Sequence, residues 1–231
     1  MTVKLDGPRL PPASGTARQL VVLLHGYGAD GNDLIGLAPH WQGLLPDAAF
    51  VAPNAPEPVP GSFGFQWFAL NRYDPEAMRR DPVLAGQVFA AMRDAVAKAA
   101  PALNAFIDDE VARLNLKGQP LALVGFSQGT MMSLYAGPRR SDITAIVGYS
   151  GSLIAGESLP KEAKCKPPIL LIHGDSDPVV PPERLQAALG PLGAAGFTVE
   201  SHLVPGLGHG IDPTGLERGG RFLRDAFHGD I

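Results

Sequence analysis

The composition fits a globular chain and argues against several classes of partner. The 231 residues are 45% apolar, which is enough to fill a sizeable core, and the formal net charge is −4 from 19 basic and 23 acidic side chains. No basic stripe or tail occurs, and Arg139-Arg140 is the longest basic cluster, which argues against nucleic acid and anionic membrane surfaces as partners. The single cysteine, Cys165, excludes an intramolecular disulfide and a cysteine-rich metal site.

The sequence also carries no recognisable targeting signal. Residues 1–10 contain no apolar run typical of a signal peptide, and no segment has the length and hydropathy of a membrane span. We therefore expect a cytoplasmic protein that does not insert stably into membranes. The sequence does not indicate its oligomeric state.

Short apolar runs predict the strands of the fold. Most of them are apolar throughout, without polar alternation, which is typical of strands covered on both faces of a parallel sheet. In chain order they are residues 20–24, 48–52, 121–124, 143–147, 169–172 and the more polar 198–204.

Helical patterns alternate with these runs. The predicted helices cover residues 86–114, a stretch from Ser127 to about Gly137-Pro138, then 182–192 and 214–227. Pro101 is expected to break or kink the first of them, since proline removes a hydrogen bond and crowds the preceding turn. The alternation predicts an α/β fold, with a mostly parallel central sheet and helices on both faces. Because no linker or repeat interrupts it, we expect one domain over residues 1–231.

Residues 53–82 do not follow this pattern. The segment is rich in proline and carries the aromatic residues Phe63, Phe65, Trp67, Phe68 and Tyr73. A long loop inside a compact domain is often a lid or a binding loop. We therefore expect a lid-like loop in which Phe63, Phe65, Trp67 and Phe68 bind the substrate. The alternative is that these side chains only pack the loop onto the body of the protein.

The strongest chemical signal is Gly125-Phe126-Ser127-Gln128-Gly129, directly after a predicted strand. A nucleophilic serine has to project from a tight strand-to-helix turn, so the residues two positions away must be small. The helix that follows also directs its N-terminal amides at a developing oxyanion. We assign Ser127 as the candidate nucleophile.

A second glycine-rich turn, His25-Gly26-Tyr27-Gly28, follows the first predicted long strand. An oxyanion hole needs an amide donor from such a neighbouring turn, so the backbone amides of Tyr27 and Gln128 are the expected donors. His25 precedes the nucleophile in the chain, and we expect it to be structural.

The acid and the base of the triad are expected after the last two strands. Asp175 and Asp177 both follow the strand at 169–172, and Asp177 is preferred because it lies deeper in the loop, while Asp175 suits a turn cap. His209 lies between glycines that leave room for its ring. The order Ser127, Asp177, His209 is the order in which α/β-hydrolases carry their triad.

These residues together predict acyl transfer to a serine. His209 would take the proton of Ser127, Asp177 would orient His209, and water would release the acyl group from an acyl-enzyme. The expected substrates are small-molecule esters or thioesters, and neither a metal nor an organic cofactor is required.

The chain resembles the phospholipase/carboxylesterase family, which includes the acyl-protein thioesterases and small bacterial carboxylesterases. The resemblance rests on residues 24–28, 125–129, 173–181 and 208–210. It implies an α/β-hydrolase fold, favours Asp177 over Asp175, and supports Tyr27 and Gln128 as oxyanion donors. Three positions depart from the family pattern: Ala29 precedes Asp30 after the first turn, Thr130 replaces a small residue, and Trp67-Phe68-Ala69 lacks an aspartate at its third position.

Other functions are compatible with the same constellation. A serine peptidase uses the same triad, but no charged residue is clearly placed for a peptide substrate. An acyltransferase would use an alcohol in place of water. A non-catalytic ligand-binding module usually lacks a triad member, whereas all three are present here.

Overall fold

The computed structural model describes residues 3–70 and 74–231. Its strands are β1 (Arg9–Leu10), β2 (Gln19–Leu24), β3 (Ala48–Val51), β4 (Glu57–Pro58), β5 (Phe65–Gln66), β6 (Leu121–Phe126), β7 (Ala145–Tyr149), β8 (Ile169–Gly174) and β9 (Val199–Val204). Its α-helices are α1 (Gly31–Ile35), α2 (Ala38–Trp41), α3 (Pro75–Arg80), α4 (Pro82–Arg113), α5 (Gln128–Arg139), α6 (Leu159–Glu162), α7 (Glu183–Ala194) and α8 (Pro213–His228). A short 3₁₀ turn, Gly156–Ser158, precedes α6.

Seven of the described strands form one sheet in the order β1-β3-β2-β6-β7-β8-β9. The pair β1–β3 is antiparallel, and every other pair in this sheet is parallel. This arrangement confirms the mostly parallel α/β fold predicted from the sequence.

The two faces of the sheet bury alternate residues of the same strand. Leu20, Val22 and Leu24 of β2 belong to a larger apolar cluster with residues of α4, α5 and α7. Val21 and Leu23 face a second cluster that includes residues of α2 and α8. Since side chains alternate across a strand, a run that is apolar throughout needs a helical layer on each face.

The carboxyl ends of the parallel strands bring the sequence motifs to one edge of the sheet. His25 follows β2, Ser127 follows β6, Asp177 lies after β8, and His209 lies between β9 and α8. Residues more than one hundred positions apart therefore meet in one region, as is usual for sites in open α/β sheets.

The long helix α4 runs unbroken through Pro101, so of the two expected outcomes, a break or a kink, the break is wrong. A proline inside a helix costs about 3 kcal/mol or more. Val96, Leu103 and Ile107 on the same helix are fully buried, and burying such side chains contributes about 1.5–3 kcal/mol each. Packing on both sides of the proline therefore outweighs the missing hydrogen bond.

Residues 53–82 contain more regular structure than a plain loop. They include the β4–β5 hairpin, with Glu57 opposite Gln66, and the short helix α3. Residues 71–73, and with them Tyr73, lie outside the described residues. Over the part of the chain that is described, no helix is long and apolar enough to cross a membrane.

Candidate active site

Ser127 occupies a strained turn between β6 and α5. Its backbone has φ 54° and ψ −115°, a conformation that non-glycine residues rarely adopt and that often marks a functional site. A Cβ added to Gly125 would lie 2.4 Å from Gly129 C, and one added to Gly129 would lie 1.8 Å from Leu24 O. Gly125 thus allows β6 and α5 to approach closely in the turn, and Gly129 allows α5 to approach the end of β2.

Thr130, one of the departures from the family pattern, is accommodated beside this turn. Its hydroxyl lies 2.8 Å from Gly125 O and 2.8 Å from Tyr149 O, and its single proton is donated to these carbonyls. A Cβ at Gly148 or Gly151 would come within 2.6 and 2.3 Å of Thr130 side-chain atoms. The space that a larger residue at 130 requires is therefore provided by two glycines on the neighbouring strand and loop.

His209 reaches this region from the loop between β9 and α8. Its Nδ1 lies 2.8 Å from Asp177 Oδ2. The imidazole packs against Phe126, with ring centroids 4.8 Å apart, and its side chain is 18% exposed. The ring is held on two sides, by the carboxylate and by the residue before Ser127.

Asp177 is buried and fully engaged in hydrogen bonds. Its Oδ1 accepts from the amides of Val179 and Val180, both at 2.9 Å. His173 Nε2 lies 3.4 Å from Oδ2 and donates to Val180 O at 2.8 Å. Burial by itself would raise the pKa of Asp177, but the hydrogen bonds from His173, His209 and Val180 outweigh it and hold that pKa well below its ordinary value.

Asp175 has a different position. Its exposed carboxylate accepts hydrogen bonds from Gly206 N and Ser176 Oγ, both at 2.8 Å. Ser176 N donates to Leu207 O at 3.0 Å. Asp175 thus ties the loop after β8 to the loop that carries His209, which is the turn-capping role expected for it.

His25 is a structural residue of the second turn. Ala55 N donates to His25 Nε2 at 2.9 Å, so Nδ1 carries the proton and donates to Gly26 O at 2.7 Å. Burial lowers the pKa of His25, which keeps the ring neutral. Both ring nitrogens are therefore engaged with the backbone.

The turn after β2 lies directly beside Ser127. A Cβ added to Gly26 would lie 3.3 Å from Ser127 Cβ and 3.2 Å from the Phe126 ring. Tyr27 follows in this turn, and Gln128 is the first residue of α5, so the two expected oxyanion donors come from elements on either side of the serine.

Ser127, His209, Tyr27 and Gln128 line one pocket of about 210 Å³. Asp177 lies behind His209. The sequence did not predict as site residues the apolar members of the lining, which are Ala29, Leu70, Phe126, Met131, Val179 and Val180. Each is within four positions of a predicted site residue, so proximity along the chain was the available signal.

The four aromatic side chains expected to bind substrate lie elsewhere. Trp67 and Phe68 are buried, at 1% and 2% exposure, and border a separate groove of about 840 Å³ beside α4. Phe65 packs against the larger core cluster, and Phe63 is fully exposed in the β4–β5 hairpin. From this segment, the described residue that lines the pocket of Ser127 is Leu70. The burial of Trp67 and Phe68 agrees with the alternative reading, in which aromatic side chains pack the segment onto the body.

Among residues 3–70 and 74–231, no cluster of three or more His, Cys, Asp or Glu side chains is arranged to hold a metal ion. Asp33 lines the pocket as a single acidic residue, and the other groups there include a hydroxyl, an imidazole and the backbone of Tyr27 and Gln128. Their chemistry suits nucleophilic attack on a carbonyl and stabilisation of the oxyanion that forms.

The chain is similar to known esterases and thioesterases. The family model for phospholipase/carboxylesterase matches residues 6–226. The crystal structure of esterase PE8 superposes with a TM-score of 0.86 at 43% identity, covering 97% of this chain and 100% of that one. Acyl-protein thioesterase 1 of Gibberella zeae is 27% identical over 94% of both chains. Esterase YpfH of Escherichia coli K12 is 30% identical over 87% of this chain and 80% of its own. The chain therefore belongs to the phospholipase/carboxylesterase family and is a hydrolase of carboxylic esters.

Proposed function

We propose that the protein is a serine carboxylesterase and thioesterase that cleaves small to medium acyl esters through Ser127, His209 and Asp177. The observation that carries the proposal is the 2.8 Å distance between His209 Nδ1 and Asp177 Oδ2. His209 lines the same pocket as Ser127. The strained backbone of Ser127 supports the same assignment, because such strain persists only where the surroundings impose it.

The proposed proton transfer follows from the tautomer of His209. With Nδ1–H donating to Asp177, the other ring nitrogen has a free lone pair and can take the proton of Ser127 as the hydroxyl attacks the acyl carbon. The resulting imidazolium is stabilised by the Asp177 carboxylate, whose lowered pKa keeps it ionised throughout.

The negative charge that develops on the carbonyl oxygen has two proposed donors. The Gln128 amide lies at the N-terminus of α5, where the helix dipole favours negative charge, and the Tyr27 amide lies in the turn beside Ser127. Collapse of the tetrahedral intermediate releases the alcohol or thiol, which takes its proton from His209. Water activated by His209 then hydrolyses the acyl-enzyme.

The acyl group is proposed to lie against Leu70, Met131 and Val179. These three apolar side chains line the pocket, and Val179 is 46% exposed. At about 210 Å³ the pocket is smaller than the roughly 300–1,000 Å³ common for drug-sized ligands, which favours short acyl groups.

Both oxygen esters and thioesters are included because the relatives carry both names, esterase in Escherichia coli and acyl-protein thioesterase in Gibberella zeae. A fluorophosphonate probe followed by peptide mapping tests the nucleophile, and labelling at Ser127 is expected. Hydrolysis rates for p-nitrophenyl esters and acyl-CoA thioesters of graded length test the substrate class. Failure to label Ser127 in a folded, active protein would contradict the proposal.

A further inference from the structure

Residues 65–68 contact the turn after β2 by backbone and side-chain hydrogen bonds. Gly28 N donates to Phe65 O at 2.9 Å, and Phe65 N donates to Ala29 O at 2.8 Å. Trp67 Nε1 donates to His25 O at 3.0 Å. Three bonds therefore join this short segment to the turn that carries the Tyr27 amide.

The same segment is bonded to the other side of the oxyanion site by one side chain. Trp67 N donates to Gln128 Oε1 at 2.7 Å, and Gln128 Nε2 donates to Phe68 O at 2.7 Å. The Gln128 amide group thus pairs with consecutive residues of the segment, and Gln128 is 1% exposed. Leaving such buried groups unpaired would destabilise the folded protein, so the arrangement is strongly specified.

Gly64, directly before the segment, also lies close to this turn. A Cβ added to Gly64 would lie 1.9 Å from Gly28 O. The backbones are therefore in direct contact, and a shift of residues 65–68 would be transmitted to the turn.

We propose that the Gln128 side chain and residues 65–68 form a clamp that sets the spacing between the Tyr27 and Gln128 amides. Gln128 and Trp67 are then positioning residues for ester hydrolysis, in addition to the backbone role of Gln128. This inference rests on the proposed function, because spacing between the amides matters only if they bind an oxyanion. The geometric requirement is strict: a misplacement of about 1 Å can cost roughly 100-fold in rate.

Two substitutions remove different links of the clamp. Gln128→Met keeps the length of the side chain and its backbone amide but loses both hydrogen bonds to residues 65–68. Trp67→Phe keeps an aromatic ring but loses the bond to His25 O. We expect kcat for an acetyl ester to fall roughly 10- to 100-fold in Gln128→Met and less in Trp67→Phe, with KM nearly unchanged.

A short alkylboronic acid separates positioning from general loss of structure. The Ser127 hydroxyl adds to boron and its proton passes to His209, which gives a tetrahedral adduct resembling the transition state. We expect each variant to weaken boronate binding by the same factor as it lowers kcat/KM. Because both changes act on one clamp, the double variant should lose less than the product of the single effects.

Tyr149→Phe is the matched control, since it removes another buried hydrogen bond, to Gly215 O at 3.1 Å, in the second core cluster. It should lower the melting temperature and leave kcat and boronate affinity unchanged. The clamp is disproved if Gln128→Met keeps wild-type kcat, or loses kcat with boronate affinity intact. If Gln128→Met does not fold, Trp67→Phe decides by the same two measurements. Failure of the proposed function has a different signature, because the wild type itself would then bind no boronate.

Discussion

His209 Nδ1 and Asp177 Oδ2 lie 2.8 Å apart, although 32 positions separate the two residues in the chain. The carboxylate is held on its other oxygen by the amides of Val179 and Val180, so it cannot turn away from the ring. The contact therefore specifies both the tautomer and the orientation of His209.

Replacing Ser127 tests the nucleophile directly. Ser127→Ala should fold normally and reduce kcat by about 10⁴- to 10⁶-fold, because the proposed acyl-enzyme forms on the Ser127 hydroxyl. Hydrolysis of a p-nitrophenyl acetate ester and the melting temperature should be measured together. Ser133→Ala, which removes another buried hydroxyl of α5, should retain activity. Comparable rates in Ser127→Ala and the wild type would rule the mechanism out.

The two aspartates after β8 should behave differently. Asp177→Asn should lower kcat by about 10⁴-fold, since an amide in place of the carboxylate favours the wrong tautomer of His209. Asp175→Asn should lower kcat less than tenfold, because the Asp175 carboxylate accepts a hydrogen bond from Gly206 N and not from the His209 ring. Steady-state kinetics on both variants check this, and the reverse ranking would reassign the acid.

Stability should depend on pH through Asp177. The pKa of Asp177 is lower in the folded protein than the value of about 3.9 in an unfolded chain. The ionised carboxylate therefore stabilises the folded protein fully above pH of about 3.9, and this stabilisation is lost as the pH falls through the folded pKa. The melting temperature of the wild type should exceed that of Asp177→Asn most at neutral pH. The difference should narrow below pH of about 4. Calorimetry on both proteins from neutral to acid pH measures it, and a constant difference would show that Asp177 is not the source.

The choice of acyl length should depend on Leu70 more than on Trp67. Leu70→Ala removes apolar surface from the pocket, so it should change the ratio of kcat/KM for butyryl and acetyl esters. Each methylene of the acyl chain that is buried against this surface stabilises the bound state by about 0.8 kcal/mol. Trp67→Ala should lower the melting temperature and reduce activity on all esters by a similar factor, because its side chain is buried outside the pocket. The values of kcat/KM for acetyl, butyryl and octanoyl esters decide this. If only Trp67→Ala alters how kcat/KM depends on acyl length, the aromatic segment and not Leu70 binds the acyl group.

Much of the fold and of the candidate site was predictable from local patterns in the sequence. The apolar run of β2 indicates a strand that is buried on both faces. The glycines at 125 and 129 indicate a tight turn between strand and helix. The order of Ser127, Asp177 and His209 follows from strand ends that meet at one edge of a parallel sheet. These inferences need only neighbouring residues and the topology.

Only the tertiary structure shows where the described aromatic residues of the segment at 53–82 lie. Its aromatic residues are compatible with either substrate binding or packing, and the choice depends on contacts such as Trp67 to Gln128, 61 positions away. Pro101 is similar, since the helix survives because distant strands and helices bury its neighbours. A sequence pattern indicates the local conformation and burial that each residue favours. Which of several compatible partners it meets depends on the free energy of the whole packed chain.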